Sequence, residues 1–151
     1  MNSGDDMKVM FVCAGNTCRS PMAEAIFRNM VGDVEVCSAG INASDGEPAS
    51  YLAVEVCSNH GLDLSKHESC SISNSRIREM DLILTAEVSH RDILRNSYPE
   101  LKICTVKQYG EGYDDLDIAD PYGISKIRYE NCFSEIEESL KKVADKFVNE
   151  E

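Results

Sequence analysis

The sequence predicts an α/β fold: a doubly wound, four-stranded parallel sheet with helices on both faces. Four short apolar segments alternate with segments of helical periodicity, a pattern typical of parallel sheets. The chain has 151 residues, of which 42% are hydrophobic, with only 4 Pro and 9 Gly, a composition that indicates one globular domain with its own core. The apolar segment nearest the N-terminus runs directly into a loop and a helix start.

This first segment predicts a strand over Val9–Val12 that ends at Cys13. A loop follows over Ala14–Ser20, and Pro21 is expected to open a helix over Pro21–Met30, because proline suits the first helical position. A strand, a tight loop and a helix N-terminus in succession direct backbone N–H groups into one concavity. The sequence therefore predicts a phosphate-binding loop after the first strand.

The other elements follow from periodicity and turn residues. The other strands are expected over Val34–Ala39, Asp81–Thr85 and Leu101–Val106, and the other helices over Ala49–His60, Ser73–Met80, Ala86–Asn96 and Ser125–Val148. Gly61 is expected to close its helix, and a loop is expected over Gly110–Tyr122. The predicted core faces include Val88, Ile93 and Leu94 in one helix, and Ile127, Cys132, Phe133, Ile136, Leu140, Val143, Ala144 and Phe147 in the last helix. Residues 1–7 are predicted to form a flexible polar N-terminus, and residues 8–151 a single domain.

Charge and cysteine content exclude several classes of function. The net charge is −12, which disfavours nucleic acid and anionic membranes as partners because both need a basic face. No apolar run approaches the length of about 20 residues that spans a membrane. The seven cysteines are an odd number and do not suggest a disulfide framework, so a cytoplasmic location is expected. His60 and His90 are predicted to lie on helix surfaces, and no pattern of metal ligands is present.

The residues of the loop indicate nucleophilic chemistry on a phosphoryl group. Cys13 lies near a helix N-terminus and near Arg19, which together stabilise a thiolate, the nucleophilic form. A guanidinium can bind two phosphate oxygens at once. Gly15 and Asn16 tolerate the positive φ that an inward-facing loop needs, and the Ser20 hydroxyl can donate to the thiolate. A Walker-type loop is excluded because no lysine lies between Cys13 and Pro21.

The segment VCAGNTCRSP resembles the phosphate-binding loop of the low-molecular-weight protein tyrosine phosphatases, and Asp120-Pro121-Tyr122 matches their second motif. The resemblance implies that Cys13 is the nucleophile, that Arg19 binds phosphate and that Asp120 is the general acid and base. It also implies a set of substrate-binding residues, Ala14, Gly15, Asn16, Thr17, Cys18, Ser20 and Tyr122, and two supporting residues, Ser38 and His67. By spacing alone, Asp114, Asp115 and Asp117 remain equal candidates for the acid.

The expected reaction is hydrolysis of protein phosphotyrosine and small aryl phosphates through a phosphocysteine on Cys13. No metal or cofactor is needed, since the loop amides and Arg19 neutralise the transferred group. The expected partners are phosphotyrosine-containing proteins or peptides, together with phosphate and oxyanion inhibitors. The resemblance also implies that Cys18 protects an oxidised Cys13 by forming a reversible disulfide.

The residues predicted to line the pocket do not decide which phosphorylated side chain is the substrate. The family usually carries an aromatic residue where Ser44 stands and often a second one at Gly123, so a more open pocket is predicted. Thr17 is a feature of the similar protein-arginine phosphatases, which gives a second candidate activity. Arsenate reductase is less favoured because no distal pair of cysteines is evident, and a phosphoanion-binding module without turnover is the alternative that is not an enzyme.

Overall fold

A computed structural model describes residues 7–111, 117–121 and 125–149 of the chain. Its centre is a four-stranded sheet in the order β2-β1-β3-β4, and every pair of neighbouring strands is parallel. The strands are β1 (Lys8–Cys13), β2 (Glu35–Gly40), β3 (Leu82–Thr85) and β4 (Ile103–Thr105). The predicted fold class is confirmed, and the carboxyl ends of all the strands meet at one edge.

Helices cover both faces of the sheet. They are α1 (Arg19–Met30), α2 (Tyr51–Asn59), α3 (Val88–Ser97), α4 (Val106–Glu111) and α5 (Lys126–Asn149). Alternate residues of β1 separate two cores, because side chains alternate across a strand. Val9 and Phe11 pack with α1, α2, α4 and α5, whereas Met10 and Val12 pack with Leu94 of α3.

The predicted helix over Ser73–Met80 is wrong: the chain forms two 3₁₀ turns, Ile72–Asn74 and Ile77–Glu79. Ser75 separates them in an extended conformation, with φ −95° and ψ 173°. Its hydroxyl donates to the carbonyl of Ile72 at 2.7 Å and accepts from the backbone N–H of Ile77 at 3.3 Å. Local serine hydrogen bonds of this kind compete with a continuous helix.

Strand β4 is shorter than expected, and the short helix α4 follows it without a break. The side chain of Thr105 accepts a hydrogen bond from the backbone N–H of Gln108 at 2.9 Å, which satisfies a first-turn donor of the helix. In α2, Ser50 serves as N-cap by accepting from the backbone N–H of Ala53, so this helix begins two residues later than predicted. Gly61 adopts φ 80° just beyond the end of α2, as expected for a terminating glycine.

The core stripe of α5 is largely as predicted, but Ile127 is 71% exposed and does not belong to it. Tyr129 is buried there instead, and the stripe continues through Cys132 and Phe133. Ile127 lies two positions before Tyr129, about 200° away around the helix, so the two side chains cannot share a face. Ile93 of α3 is likewise half exposed. Among the described residues, no helix combines the length and apolar character needed to cross a membrane.

Candidate active site

A cavity of about 450 Å³ opens at the edge of the sheet where β1 and β2 end. Three segments form its wall: the loop after β1, the loop after β2, and the segment that contains Asp120. The lining residues are Cys13, Gly15, Thr17, Cys18, Arg19, Asn42, Ala43, Ser44, Glu47 and Asp120. Ligands of parallel α/β sheets bind at this edge, so the cavity lies where the fold predicts a site.

Cys13 is the last residue of β1 and is only 3% exposed. Its Sγ lies 2.9 Å from Oγ of Ser20 and accepts from the backbone N–H of Ser20 at 3.4 Å. Helix α1 begins at Arg19, two residues earlier than Pro21 suggested, and its N-cap Cys18 provides no side-chain hydrogen bond. The positive end of α1, including the backbone N–H of Ser20, therefore faces the Cys13 sulfur.

Asn16 holds the loop from inside. It has φ 58°, and its Nδ2 donates to Oγ of Ser20 at 2.8 Å and to Oγ of Ser38 at 3.0 Å. Its Oδ1 accepts from the backbone N–H of Cys70 at 2.8 Å, and its backbone carbonyl lies 2.7 Å from Nε2 of His67. Ser38 and His67 thus contact the loop where the resemblance implied.

The loop is also closely packed against the end of β2. A Cβ atom at Gly40 would lie 2.7 Å from the carbonyl oxygen of Ala14 and 2.9 Å from the backbone nitrogen of Asn16, so only glycine fits there. Gly15, in contrast, does not adopt the positive φ expected for it. A Cβ at Gly15 would meet only the Thr17 hydroxyl, at 3.7 Å. The reversal of the loop therefore depends on Asn16 and Gly40.

Arg19 is 3% exposed and fixed by three partners. Its Nη1 donates to Oε2 of Glu87 and to the carbonyl of Ile118, both at 2.6 Å, and its Nη2 lies 3.8 Å from Oδ2 of Asp120. Burial acts to lower the pKa of Arg19, but the hydrogen bond to Glu87 and nearby negative charges outweigh it and raise the pKa. The guanidinium of Arg19 therefore stays charged beside Cys13.

Glu87 was not predicted from the sequence to belong to the site. It comes two residues after β3 ends, so the shared edge of strand ends was a signal that could have identified it. Burial alone would raise its pKa, yet the hydrogen bond and charge of Arg19 prevail and lower the pKa of Glu87.

The acidic candidates differ in position. Asp120 lines the cavity, whereas Oδ1 of Asp117 accepts from the backbone N–H of Val88 at 2.7 Å, at the start of α3. Asp114, Asp115, Tyr122 and Gly123 lie outside the described residues. Of the described candidates, Asp120 is the one beside Arg19 and Cys13.

Cys18 lines the cavity but is 5% exposed, and its sulfur contacts α5. Its Sγ lies 3.4 Å from the hydroxyl of Tyr129 in α5 and 3.9 Å from that of Ser50. Burial raises the pKa of the Cys18 thiol, although both hydroxyl contacts act in the opposite direction. All seven cysteines are free, and burial raises the pKa values of three others, Cys37, Cys57 and Cys132, to about 12.

His90 does not lie on a helix surface as predicted: it is only 6% exposed. Its Nε2 is 3.8 Å from Oε1 of Glu87, and its Nδ1 has no hydrogen-bond partner among the described residues. Burial lowers the pKa of His90, while the charge of Glu87 acts to raise it. The imidazole of His90 therefore borders the ion pair of buried Arg19 and half-buried Glu87.

The outer wall contains no aromatic side chain among the described residues. Ser44 stands there as predicted, and Asn42 and Glu47, which the sequence analysis did not single out, line the cavity with it. The side chain of Asn16 donates to the Ser20 hydroxyl, and Ala14, Asn16 and Ser20, predicted to bind substrate, are not among the residues that line the cavity.

Comparisons with known proteins agree with this geometry. An arginine phosphatase from Geobacillus stearothermophilus superposes with a TM-score of 0.90 at 36% identity, over 95% of this chain and 94% of that one. A low molecular weight protein tyrosine phosphatase from T. tengcongensis gives a TM-score of 0.85 at 41% identity, over 93% and 99% of the two chains. An arginine phosphatase variant with a phosphorylated active-site serine in place of cysteine gives 0.87 at 34% identity, over 93% and 95%.

The sequence model described as "Low molecular weight phosphotyrosine protein phosphatase" matches residues 8–151. This match covers nearly the whole chain, including all three segments that line the cavity. The chain therefore belongs to the low molecular weight phosphotyrosine protein phosphatase family, whose members are cysteine-dependent phosphatases.

Proposed function

We propose that the chain removes phosphoryl groups from protein side chains through a phosphocysteine on Cys13. The observation that carries this proposal is the position of the Cys13 sulfur, 2.9 Å from the Ser20 hydroxyl and 3.4 Å from its backbone N–H, in a cavity also lined by Arg19 and Asp120. A nucleophile, a fixed cation and a carboxyl group are thereby gathered around one space for a phosphoryl group.

The reaction has two displacements. The Cys13 thiolate attacks phosphorus, the bond from phosphorus to the leaving atom breaks, and Asp120 gives its proton to that atom. Asp120, now a carboxylate, takes a proton from water, which attacks the phosphocysteine and releases phosphate and the Cys13 thiolate. Arg19 and the backbone N–H groups of residues 14–20 stabilise the transferred group in both steps. The phosphoserine trapped in the related arginine phosphatase supports covalent transfer to this position.

The first substrate candidate is phosphotyrosine in proteins or peptides, which the family match supports. Residues 8–151 are proposed to act as the phosphatase domain in the cytoplasm, and inorganic phosphate and other oxyanions are proposed inhibitors. Tyr122 is proposed to flank the aryl group of the substrate.

The second candidate is phosphoarginine, and one observation favours it. Thr17 lines the cavity. The described part of the wall has polar and acidic side chains, whereas an aryl group would bind better beside an aromatic side chain. A phosphorylated guanidinium is polar and cationic, so this lining suits it. The likeness to an arginine phosphatase over 95% of the chain supports the same candidate.

The test is phosphate release from matched phosphotyrosine and phosphoarginine peptides in the presence of EDTA. Wild type, Cys13→Ser and Cys104→Ser are compared, since Cys104 is a half-buried cysteine of β4 outside the cavity lining. Turnover by wild type and Cys104→Ser but not by Cys13→Ser is the expected result, and the preferred peptide identifies the substrate. Turnover of neither peptide by wild type would overturn the proposal and favour anion binding without catalysis.

A further inference from the structure

Glu47 is, together with Asp120, one of two acidic residues among the described residues that line the cavity, whose Arg19 side suits an anion. Its side chain makes no hydrogen bond or ion pair with any residue in the ranges 7–111, 117–121 and 125–149, and the residue is exposed. A carboxylate there repels a phosphoryl dianion, and the net charge of −12 adds to this repulsion.

The backbone at Glu47 is firmly held. Its N–H donates to Oγ of Ser69 at 2.9 Å, and its carbonyl accepts from the N–H of Ser69 at 2.8 Å. Ser69 is 4% exposed, and its hydroxyl also bonds the carbonyl of Ser44. Gly46 donates to the carbonyl of Ser69 at 2.9 Å. These bonds fix the backbone of Glu47, so its carboxyl group stays within reach of the cavity opening.

We propose that Glu47 is a specificity-determining residue, which selects substrates with a positive charge beside the phosphoryl group. Such a charge attracts the carboxylate and offsets the repulsion that the phosphoryl group experiences. This inference rests on the proposed phosphatase function and deepens it. The cation has two possible sources, the guanidinium of phosphoarginine itself or a lysine or arginine next to phosphotyrosine in a peptide.

The experiment measures kcat/KM for four substrates with wild type, Glu47→Gln and Glu47→Lys. The substrates are p-nitrophenyl phosphate, a phosphotyrosine peptide flanked by alanines, one flanked by arginines, and a phosphoarginine peptide. Glu68→Gln is the matched control, because Glu68 is exposed next to Ser69 and does not line the cavity.

We expect Glu47→Gln to lower kcat/KM for the cationic substrates by about tenfold, mainly through KM, and to raise it about twofold for p-nitrophenyl phosphate. Glu47→Lys should enlarge both changes, and added salt should shrink them. If kcat/KM falls only for the phosphoarginine peptide, the cation that Glu47 recognises is the phosphorylated guanidinium itself. If it falls only for the arginine-flanked peptide, the cation is a neighbouring side chain of the substrate. Equal changes for all four substrates, or none, would overturn the proposal.

The two proposals fail separately. Hydrolysis of p-nitrophenyl phosphate by wild type tests the phosphatase function without reference to Glu47. If wild type hydrolyses nothing, affinities of the same phosphopeptides for Cys13→Ser and for Cys13→Ser/Glu47→Gln still test the charge selection. About tenfold weaker binding of the cationic peptides alone supports it, and equal affinities for both variants contradict it.

Discussion

Oε2 of Glu87 lies 2.6 Å from Nη1 of Arg19, and this contact connects the end of β3 to the cation of the phosphate-binding loop. The pair is largely buried, and Arg19 is the deeper partner. A buried charge that loses its partner is costly, so the position of the guanidinium depends on a residue far away in sequence.

Glu87→Gln tests this dependence. Glutamine preserves the shape and an acceptor but removes the charge that holds Arg19. We expect kcat/KM to fall about tenfold and the free energy of unfolding to fall by about 1–3 kcal/mol. Steady-state kinetics and urea denaturation measure the two effects. Glu79→Gln, at an exposed ion pair with Arg76, should change neither by a comparable amount, and an unaltered kcat/KM in Glu87→Gln would refute the dependence.

Asn16→Asp removes the hydrogen-bond donor of the Asn16 side chain and keeps an acceptor. Aspartate also tolerates positive φ and keeps the acceptor for Cys70, but it cannot donate to Ser20 and Ser38. We expect a loss of about 2 kcal/mol in the free energy of unfolding and a lower kcat, because the Ser20 hydroxyl is released from its position. Denaturation and kinetics provide the measurement, with Asn96→Asp on the exposed surface of α3 as control. A variant as stable and active as wild type would show that the donors of Asn16 are dispensable.

His90 predicts a pH dependence of stability. Burial lowers the pKa of His90 below that of an exposed histidine, about 6.5, so at mildly acidic pH the unfolded chain binds a proton that the folded chain does not. The contribution of His90 to the free energy of unfolding is therefore fully present above about pH 6.5. It is lost as the pH is lowered below this pKa of the unfolded chain. In His90→Gln this loss between about pH 7 and pH 5.5 should shrink. Denaturation at several pH values checks it, with the exposed His60→Gln as control. Parallel curves for wild type and His90→Gln would exclude His90 as the source.

Asp120→Asn tests the proposed role of Asp120 as general acid. We expect kcat/KM, which reports the first displacement alone, to fall by about 10²–10⁴-fold for a phosphotyrosine peptide, and far less for an aryl phosphate whose leaving group needs no proton. Asp117→Asn is the matched control, because asparagine can still accept from the backbone N–H of Val88. Equal losses for both leaving groups in Asp120→Asn would remove Asp120 from the role of proton donor.

Oxidation tests the proposed pairing of Cys13 with Cys18. Peroxide treatment should give a disulfide between them and an inactivation that a thiol reductant reverses. In Cys18→Ser the same treatment should give sulfinic Cys13 and permanent loss of activity. Mass spectrometry identifies the products. Sulfinic Cys13 without a Cys13–Cys18 bond in the wild type would show that the pairing does not occur.

Sequence alone predicted what is encoded locally. The strand before Cys13 and the positive φ of Asn16 follow from the residues within one short segment. Glu87 and the burial of His90 could not be read in this way, because each depends on how α3 packs against an edge formed by distant strands. Helix α4 was missed because its start depends on the hydrogen bond between Gln108 and Thr105, which apolar periodicity does not reveal. Glu47 lies in a loop without periodicity, and only the cavity distinguishes it from other surface acids.

The contacts of Asn16 have a consequence for synthesis. The motif from Cys13 to Ser20 leaves the ribosome early, but the partners of Asn16 at Ser38, His67 and Cys70 follow later. The partners of Arg19 at Glu87 and Ile118 come later still. A nascent chain that ends before residue 38 thus carries the whole segment from Cys13 to Ser20 without these partners. The guanidinium of Arg19 consequently gains its buried hydrogen-bond partners only after Ile118 has been synthesised.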